Sequence, residues 1–328
     1  MSPVTNRSEG HRLAVEKIVV GSRASRLAKI QAEWVGTRLK KSWPNLSITY
    51  WTTTTIGDRD RDVPLSEIGG QGVFTSALES ALVEETIDLA VHSLKDLPTK
   101  ESTGTSLAAV PPREDPRDTL VVGPHVPMGQ MAIDTLPSGA RIGTSSLRRS
   151  AQVRAIRSDL RVMDVRGNVD TRLKKLEAGE FEALILAAAG LRRLGLWSSN
   201  MFPLEVDWLP APGQGALGVQ GRPSDSEIRE LVRPLEDRKS RTEVTAERSL
   251  LASLEGGCQV PIASRANVED EDVHLSAAVY DVKGMLDPIV GAERGPMEEA
   301  AEVGERLADR LKDSGADAMV ENAREFRV

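Results

Sequence analysis

The chain has 328 residues, 40% hydrophobic and 28% charged, with four His and a single Cys. That length and apolar share provide cores for two or three compact domains and exclude a disordered or fibrous chain. One cysteine excludes an internal disulfide framework and any structural zinc site built on several thiolates, while a net charge of −7 with only four Phe, two Tyr and five Trp argues against a nucleic-acid binder.

Lys17 to Val20 reads as a strand that breaks at Gly21-Ser22 into a helix with Leu27, Ile30, Trp34 and Leu39 on one face. Leu46 to Thr54, rich in β-branched and aromatic residues, predicts a second strand. Gly57 to Asp62 is a charged loop, and the stretch to Glu67 is expected to be mobile, a candidate lid. A helix over Phe74 to Glu85 and a buried strand over Ile87 to Val91 complete a β-α-β-α-β run, which implies a mostly parallel sheet covered by helices. Ser102 to Pro116 reads as a crossover to a second α/β unit, with strands at Thr119–Val122, Arg141–Gly143, Val162–Val165 and Ala183–Ala187. Pro210 to Gly215 is a second break, after which Ala216 to Gln220 is a candidate strand returning to the first unit. A helix over Thr242 to Leu254 opens a third region, which closes on an amphipathic helix near Met297 to Asp313. No apolar run is long enough to span a bilayer, and Met1 to Lys17 has no apolar signal core, so the expectation is a soluble cytoplasmic protein.

The charge is unevenly placed. Arg141 to Arg193 holds ten Arg and two Lys against three Asp and three Glu, a net of +6 that leaves −13 for the rest. An Arg-rich segment in an acidic protein suits a small anionic partner, because the guanidinium fork takes a carboxylate or phosphate with two parallel hydrogen bonds; solvated helix faces are the plainer alternative. Three polar clusters fall at strand-to-helix turns: Ser22-Arg23-Ala24-Ser25, Gly143-Thr144-Ser145-Ser146 and Arg166-Gly167-Asn168. Helix N-termini at such turns point backbone N–H groups outward, which again favours anions.

Other motifs are weaker. Gly69-Gly70-Gln71-Gly72 lacks the Lys and Ser/Thr of a phosphate loop, and the four scattered histidines suggest no metal. His92 ends an apolar strand, which fits a core or hydrogen-bonded imidazole. Cys258, between Glu255-Gly256-Gly257 and Gln259-Val260-Pro261, is either a small buried hydrophobe or a thiolate nucleophile or attachment point. Asp96 follows a strand end, where it is either one half of a surface ion pair with Lys95 or a carboxylate that stabilises a cation or moves a proton.

In sequence order, His92-Ser93-Leu94-Lys95-Asp96-Leu97-Pro98, Arg113 to Asp118, Gly143 to Arg149, Arg166-Gly167-Asn168-Val169 with Thr171-Arg172-Leu173, Ala187 to Leu194, Gly213-Gln214-Gly215-Ala216 and Glu255 to Pro261 resemble the porphobilinogen deaminase family. The resemblance covers nearly the whole chain. It implies an α/β fold of two periplasmic-binding-protein-like (type II) domains and a smaller C-terminal α/β domain. The division would be 1–116 with 212–237, then 117–211, then 238–328. It implies hydroxymethylbilane synthesis: four porphobilinogens condensed with loss of ammonia on a dipyrromethane cofactor joined to Cys258. Asp96 matches the family's catalytic aspartate, facing a cationic azafulvene. Ser93, Lys95, Asp96, Thr144, Ser145, Ser146, Arg148, Arg149, Arg166 and Gly167 would hold the cofactor. Arg23, Ser25, Arg149, Asn168, Arg172, Arg193 and Gln214 would hold substrate carboxylates. No nucleic-acid, membrane or metal partner is implied, and the expected state is a monomer.

Some positions depart from that pattern. Glu67, Gln71 and Ser76 stand where Lys is frequent, Arg26 where Pro is usual, and Asp170 and Gln220 are unusual choices. Altered affinity or lid behaviour is expected from the missing lysines, with the activity kept. Two other readings, a non-catalytic anion-binding clamshell and an Arg-rich nucleic-acid binder, fit Asp96, Cys258 and the acidic balance less well.

Overall fold

The computed structural model describes residues 15–54, 75–126, 132–205, 207–255 and 260–325. The candidate lid, Glu67, Gln71 and Cys258 lie outside these residues.

The first sheet is built from β1 (Lys17–Arg23), β2 (Ser47–Thr53), β3 (Leu89–Ser93), β4 (Ser106–Ala109) and a late strand, β10 (Leu217–Gly221), in the order β2-β1-β3-β10-β4. β1 runs parallel to β2 and β3, and β10 is antiparallel to β3 and β4. The second sheet repeats this plan with β5 (Asp118–Val122), β6 (Arg141–Gly143), β7 (Arg161–Met163), β8 (Ala183–Ala187) and β9 (Met201–Pro203), ordered β7-β6-β8-β5-β9. In each, one antiparallel strand lies fourth, supplied by chain that has just crossed over. This is the type II periplasmic-binding-protein arrangement. The third sheet, β11 (Ile262–Glu269), β12 (Asp272–Val279) and β13 (Ile289–Pro296), is an antiparallel meander.

Each sheet buries apolar strand residues under helices. Helix α1 (Arg26–Ser42) puts Ala32, Val35 and Leu39 on Ile18, Val20, Leu89 and Val91. Helix α2 (Ser76–Val83) covers the opposite face with Leu78, Ala81 and Leu82. In the second unit, α3 (Leu147–Ile156), α4 (Val169–Glu177) and α5 (Ala188–Arg193) flank a sheet whose β8 is almost wholly buried. After α6 (Ser226–Val232), α7 (Arg238–Ser253) and α8 (Ala300–Asp313) pack with α9 (Ala316–Glu325) on the third sheet through Leu250, Val303, Leu307 and Val320.

The two crossover segments run side by side and are tied to the third unit. Glu114 N–H donates to Gly215 O at 3.2 Å. A Cβ on Gly215 would lie 2.3 Å from Glu114 O, so only glycine, here at φ +87°, permits this approach. Glu247 of α7 takes Arg113 on both oxygens at 2.9 Å, Gly213 N–H at 2.6 Å and Ala266 N–H at 2.7 Å. Both crossovers and β11 therefore converge on one fully buried carboxylate.

Candidate functional site

Two adjoining cavities lie at the carboxyl ends of the central strands, where α/β sheets place ligands. The first is lined by Arg23, Ser25, His92, Ser93 and Asp96, with Thr75 at the start of α2. Ser25 caps α1 through Ala28 N–H at 3.3 Å, and Asp96 ends a single 3-10 turn that follows β3. The second is lined by Lys95, Arg149, Arg172, Arg193 and Gln214, between α1, α5 and the second crossover. Leu27, Gln31 and Ser93 line both, so the two spaces meet. Gln31 is buried, and its Nε2 donates to Ser93 Oγ at 3.0 Å.

Asp118 organises the cationic wall. Its Oδ1 accepts from Arg149 Nε and Nη2 at 3.0 and 2.7 Å and from Gln214 Nε2 at 2.8 Å. Its Oδ2 accepts from Arg148 Nη1 and Trp208 Nε1, both at 2.7 Å. Burial alone would raise the Asp118 carboxyl, but Arg148 and Arg149 outweigh it and hold the group far below the ordinary carboxylate range. One carboxylate thus serves two guanidiniums, and Lys95 donates to Gln214 Oε1 at 3.2 Å beside them. Burial and the Arg149 charge push Lys95 down to about 8.

Arg172 and Arg193 make no ion pair among the described residues. Arg172 Nε donates to Gly167 O at 2.8 Å, and Arg193 Nη2 to Gly215 O at 2.7 Å. Burial brings each down to about 10, Arg149 and Arg166 adding to the effect on Arg172, so both stay charged at neutral pH. Cations held by backbone carbonyls in a concave site are fitted to carboxylates brought from outside. The acetate and propionate groups of a dipyrromethane present that chemistry, and the donor set fits it.

The structure brings Arg23, Ser25, Ser93, Lys95, Asp96, Arg149, Arg172, Arg193 and Gln214 to these cavities. Thr144, Ser145, Ser146, Arg148, Arg166, Gly167 and Asn168 line neither. Ser145 Oγ bridges the two anion-type turns, donating to Val165 O at 2.8 Å and accepting its N–H at 3.2 Å. Thr144 Oγ1 accepts Ser146 N–H at 3.2 Å, Ser146 caps α3, and Asn168 stands at the N-terminus of α4. Arg148 turns to Leu209 O at 2.9 Å as well as to Asp118. Asp118 and Gln31 escaped the sequence reading. The signal for Gln31 was a polar residue four after Leu27 on the apolar stripe of α1; for Asp118 it was an acid opening a strand otherwise made of β-branched and aliphatic residues.

Comparison with known proteins agrees with this geometry. A family model described as "porphobilinogen deaminase, dipyromethane cofactor binding domain" matches residues 18–230, and one for the "C-terminal domain" of the same family matches 241–313. Curated relatives named porphobilinogen deaminase include one from Nostoc sp. strain PCC 7120, 46% identical over 91% of this chain and 92% of that protein. Another, from Roseiflexus sp. strain RS-1, is 44% identical over 93% of this chain and 99% of that protein. A third, from Syntrophobacter fumaroxidans, is 43% identical over 93% and 97%. The chain therefore belongs to the porphobilinogen deaminase family, the hydroxymethylbilane synthases of tetrapyrrole biosynthesis, with porphobilinogen as substrate and a dipyrromethane cofactor.

Proposed function

We propose that the Asp96 cavity is where ammonia leaves porphobilinogen and that the adjoining cationic wall carries the growing pyrrole chain. When bound through Cys258, the cofactor supplies the primer to which substrate units are joined. The aminomethyl group leaves from its protonated, ammonium form: the C–N bond breaks with its electron pair going to nitrogen, neutral ammonia departs, and the positive charge stays on the substrate as a cation delocalised into the pyrrole. The Asp96 carboxylate opposes that charge as it develops. Arg23 and Ser25 hold the incoming substrate's carboxylates on one side. Arg149, Arg172, Arg193, Lys95 and Gln214 hold those of the chain on the other. Thr144, Ser145, Ser146, Arg166, Gly167 and Asn168 shape the turns that extend this wall, and Arg148 positions Asp118.

What carries this reading is the sharing of Leu27, Gln31 and Ser93 by the two cavities, which gives a carboxylate and a cationic track one continuous space. The test is intact mass. The purified protein should exceed its sequence mass by two linked pyrrole units, lose that excess in Cys258→Ser, and gain further units when porphobilinogen is added. A bare mass that stays bare after porphobilinogen is supplied overturns it.

The three units would divide at 1–116 with 212–237, 117–211 and 238–328, which is supported by each sheet drawing its strands from one of these ranges. The reading also takes the protein as a cytoplasmic monomer with no nucleic-acid or membrane partner. What supports the absence of a nucleic-acid partner is the acidic balance outside the Arg-rich segment. Light scattering checks the monomer.

A further inference from the structure

Arg26 is the first residue of α1, on the first-sheet unit, and Asp170 lies in the first turn of α4, on the second. Arg26 Nη1 meets Asp170 Oδ1 at 2.7 Å, and Nη2 donates to Leu194 O, beyond α5, at 3.4 Å. The neighbours of the pair belong to the site. Ser25 and Leu27 line the Asp96 cavity, while Val169 and Arg172 line the cationic one. Leu27 also approaches the second unit closely, its methyl lying 3.7 Å from where a Cβ on Gly190 would be. The ion pair therefore joins two walls of the cleft at the cleft itself, whereas Arg117–Glu205 and Arg192–Asp115 stand along the crossovers.

We propose that Arg26 and Asp170 are positioning residues, forming a clasp that holds the two units together across the cleft and sets how readily they part. The proposal rests on reading the two cavities as one cleft. Both side chains are solvent-exposed, at 55% and 38%. A pair so placed shifts an equilibrium by up to about fivefold and is screened by salt. That range suits a contact that must break and re-form as the bound chain lengthens. A deeply buried pair would lock the cleft instead. The clasp also cancels the Asp170 charge, which would otherwise face carboxylates arriving at Arg172.

The test uses the holoprotein carrying spin labels on exposed positions of the two units, Thr37→Cys on α1 and Lys174→Cys on α4, so the readout is a distance and not turnover. At low salt, Arg26→Gln and Asp170→Asn should each move up to about fivefold more of the population to longer separations. The double variant should match Arg26→Gln, which already loses both the Asp170 pair and the weaker bond to Leu194 O, so that removing Asp170 as well adds nothing. Raising salt should produce the same shift in the parent protein and little in the variants. Unchanged distances in the single variants, or additive shifts in the double one, overturn the clasp. Whether the protein elongates pyrroles does not enter this measurement, so failure of the clasp and failure of the catalytic reading are separable.

Discussion

Arg149 places both Nε and Nη2 on a single oxygen of Asp118, at 3.0 and 2.7 Å. The other oxygen is left for Arg148 and Trp208, so a fully buried carboxylate fixes two cations by dividing its oxygens between them. Asp118→Asn keeps the shape and removes the charge, leaving Arg148 and Arg149 buried without their counter-ion. The expected loss is about 3–5 kcal/mol of stability. Urea unfolding of the variant checks this, and a loss below about 1 kcal/mol would mean that the cluster reorganises at little cost.

Asp96 makes the opposite prediction. It belongs to the Asp96 cavity's surface and not to a packed core. Asp96→Ala should leave the thermal midpoint within a few degrees of the parent value while turnover falls by about 10²–10³, the usual effect of removing one stabilising group from a developing charge. Steady-state assays with porphobilinogen beside thermal melts separate the two effects.

Arg172 and Arg193 each bond a backbone carbonyl and offer the rest of the guanidinium to the cavity. Arg172→Gln or Arg193→Gln should cost one charged hydrogen-bonding partner, about 1.5–3 kcal/mol, hence roughly 10–150-fold in kcat/KM. Stability should hardly change, since no carboxylate of the protein among the described residues is left unpaired.

The pH dependence of stability carries a signature of His92. Burial, with the Arg23 charge adding, brings its pKa from 6.5 down to about 4. An unfolded chain takes up this proton near pH 6.5 and the folded chain only near pH 4, so between those values the unfolded state binds more protons. The contribution is intact above pH 6.5 and falls away as pH drops toward 4, by up to about 1.4 kcal/mol per pH unit. Chemical unfolding at pH 7, 6 and 5 should therefore show a shallower decline in His92→Asn than in the parent protein. Identical slopes would remove His92 as the source.

Sequence reasoning reached strands β6 and β8 at their observed limits because short apolar runs between turn residues leave little choice. It read Ser102 to Pro116 as crossover and so missed β4, a four-residue strand whose hydrogen-bonding partner lies more than a hundred residues later. No local pattern encodes such a pairing. The resemblance implied an α/β unit at the C-terminus, but the sequence pattern did not place its strands, for a related reason: β13 contains Gly291 and Gly295, whose bare backbones admit Leu307 and Val303 of α8, so packing and not propensity makes the strand. At the site, Arg148 and Arg149 were indistinguishable by type. Adjacent helical residues point about 100° apart, so Arg149 reaches the cavity while Arg148 turns toward Leu209. Arg26 and Asp170 stood out one at a time, and only the fold shows that they meet.

The placement of β10 between β3 and β4 bears on how the protein is made. Among the described residues β4 pairs with β10 alone, and β3 keeps an open edge until β10 arrives. At a ribosome adding about 5–20 residues per second, the intervening stretch of roughly 110 residues takes about 5–20 s. During that interval the second sheet can close from its own strands while the first cannot. The inserted unit is thus the first sheet able to complete itself on the ribosome. An unpaired β3 edge waits for it, and this interval is when a nascent chain would most benefit from a chaperone.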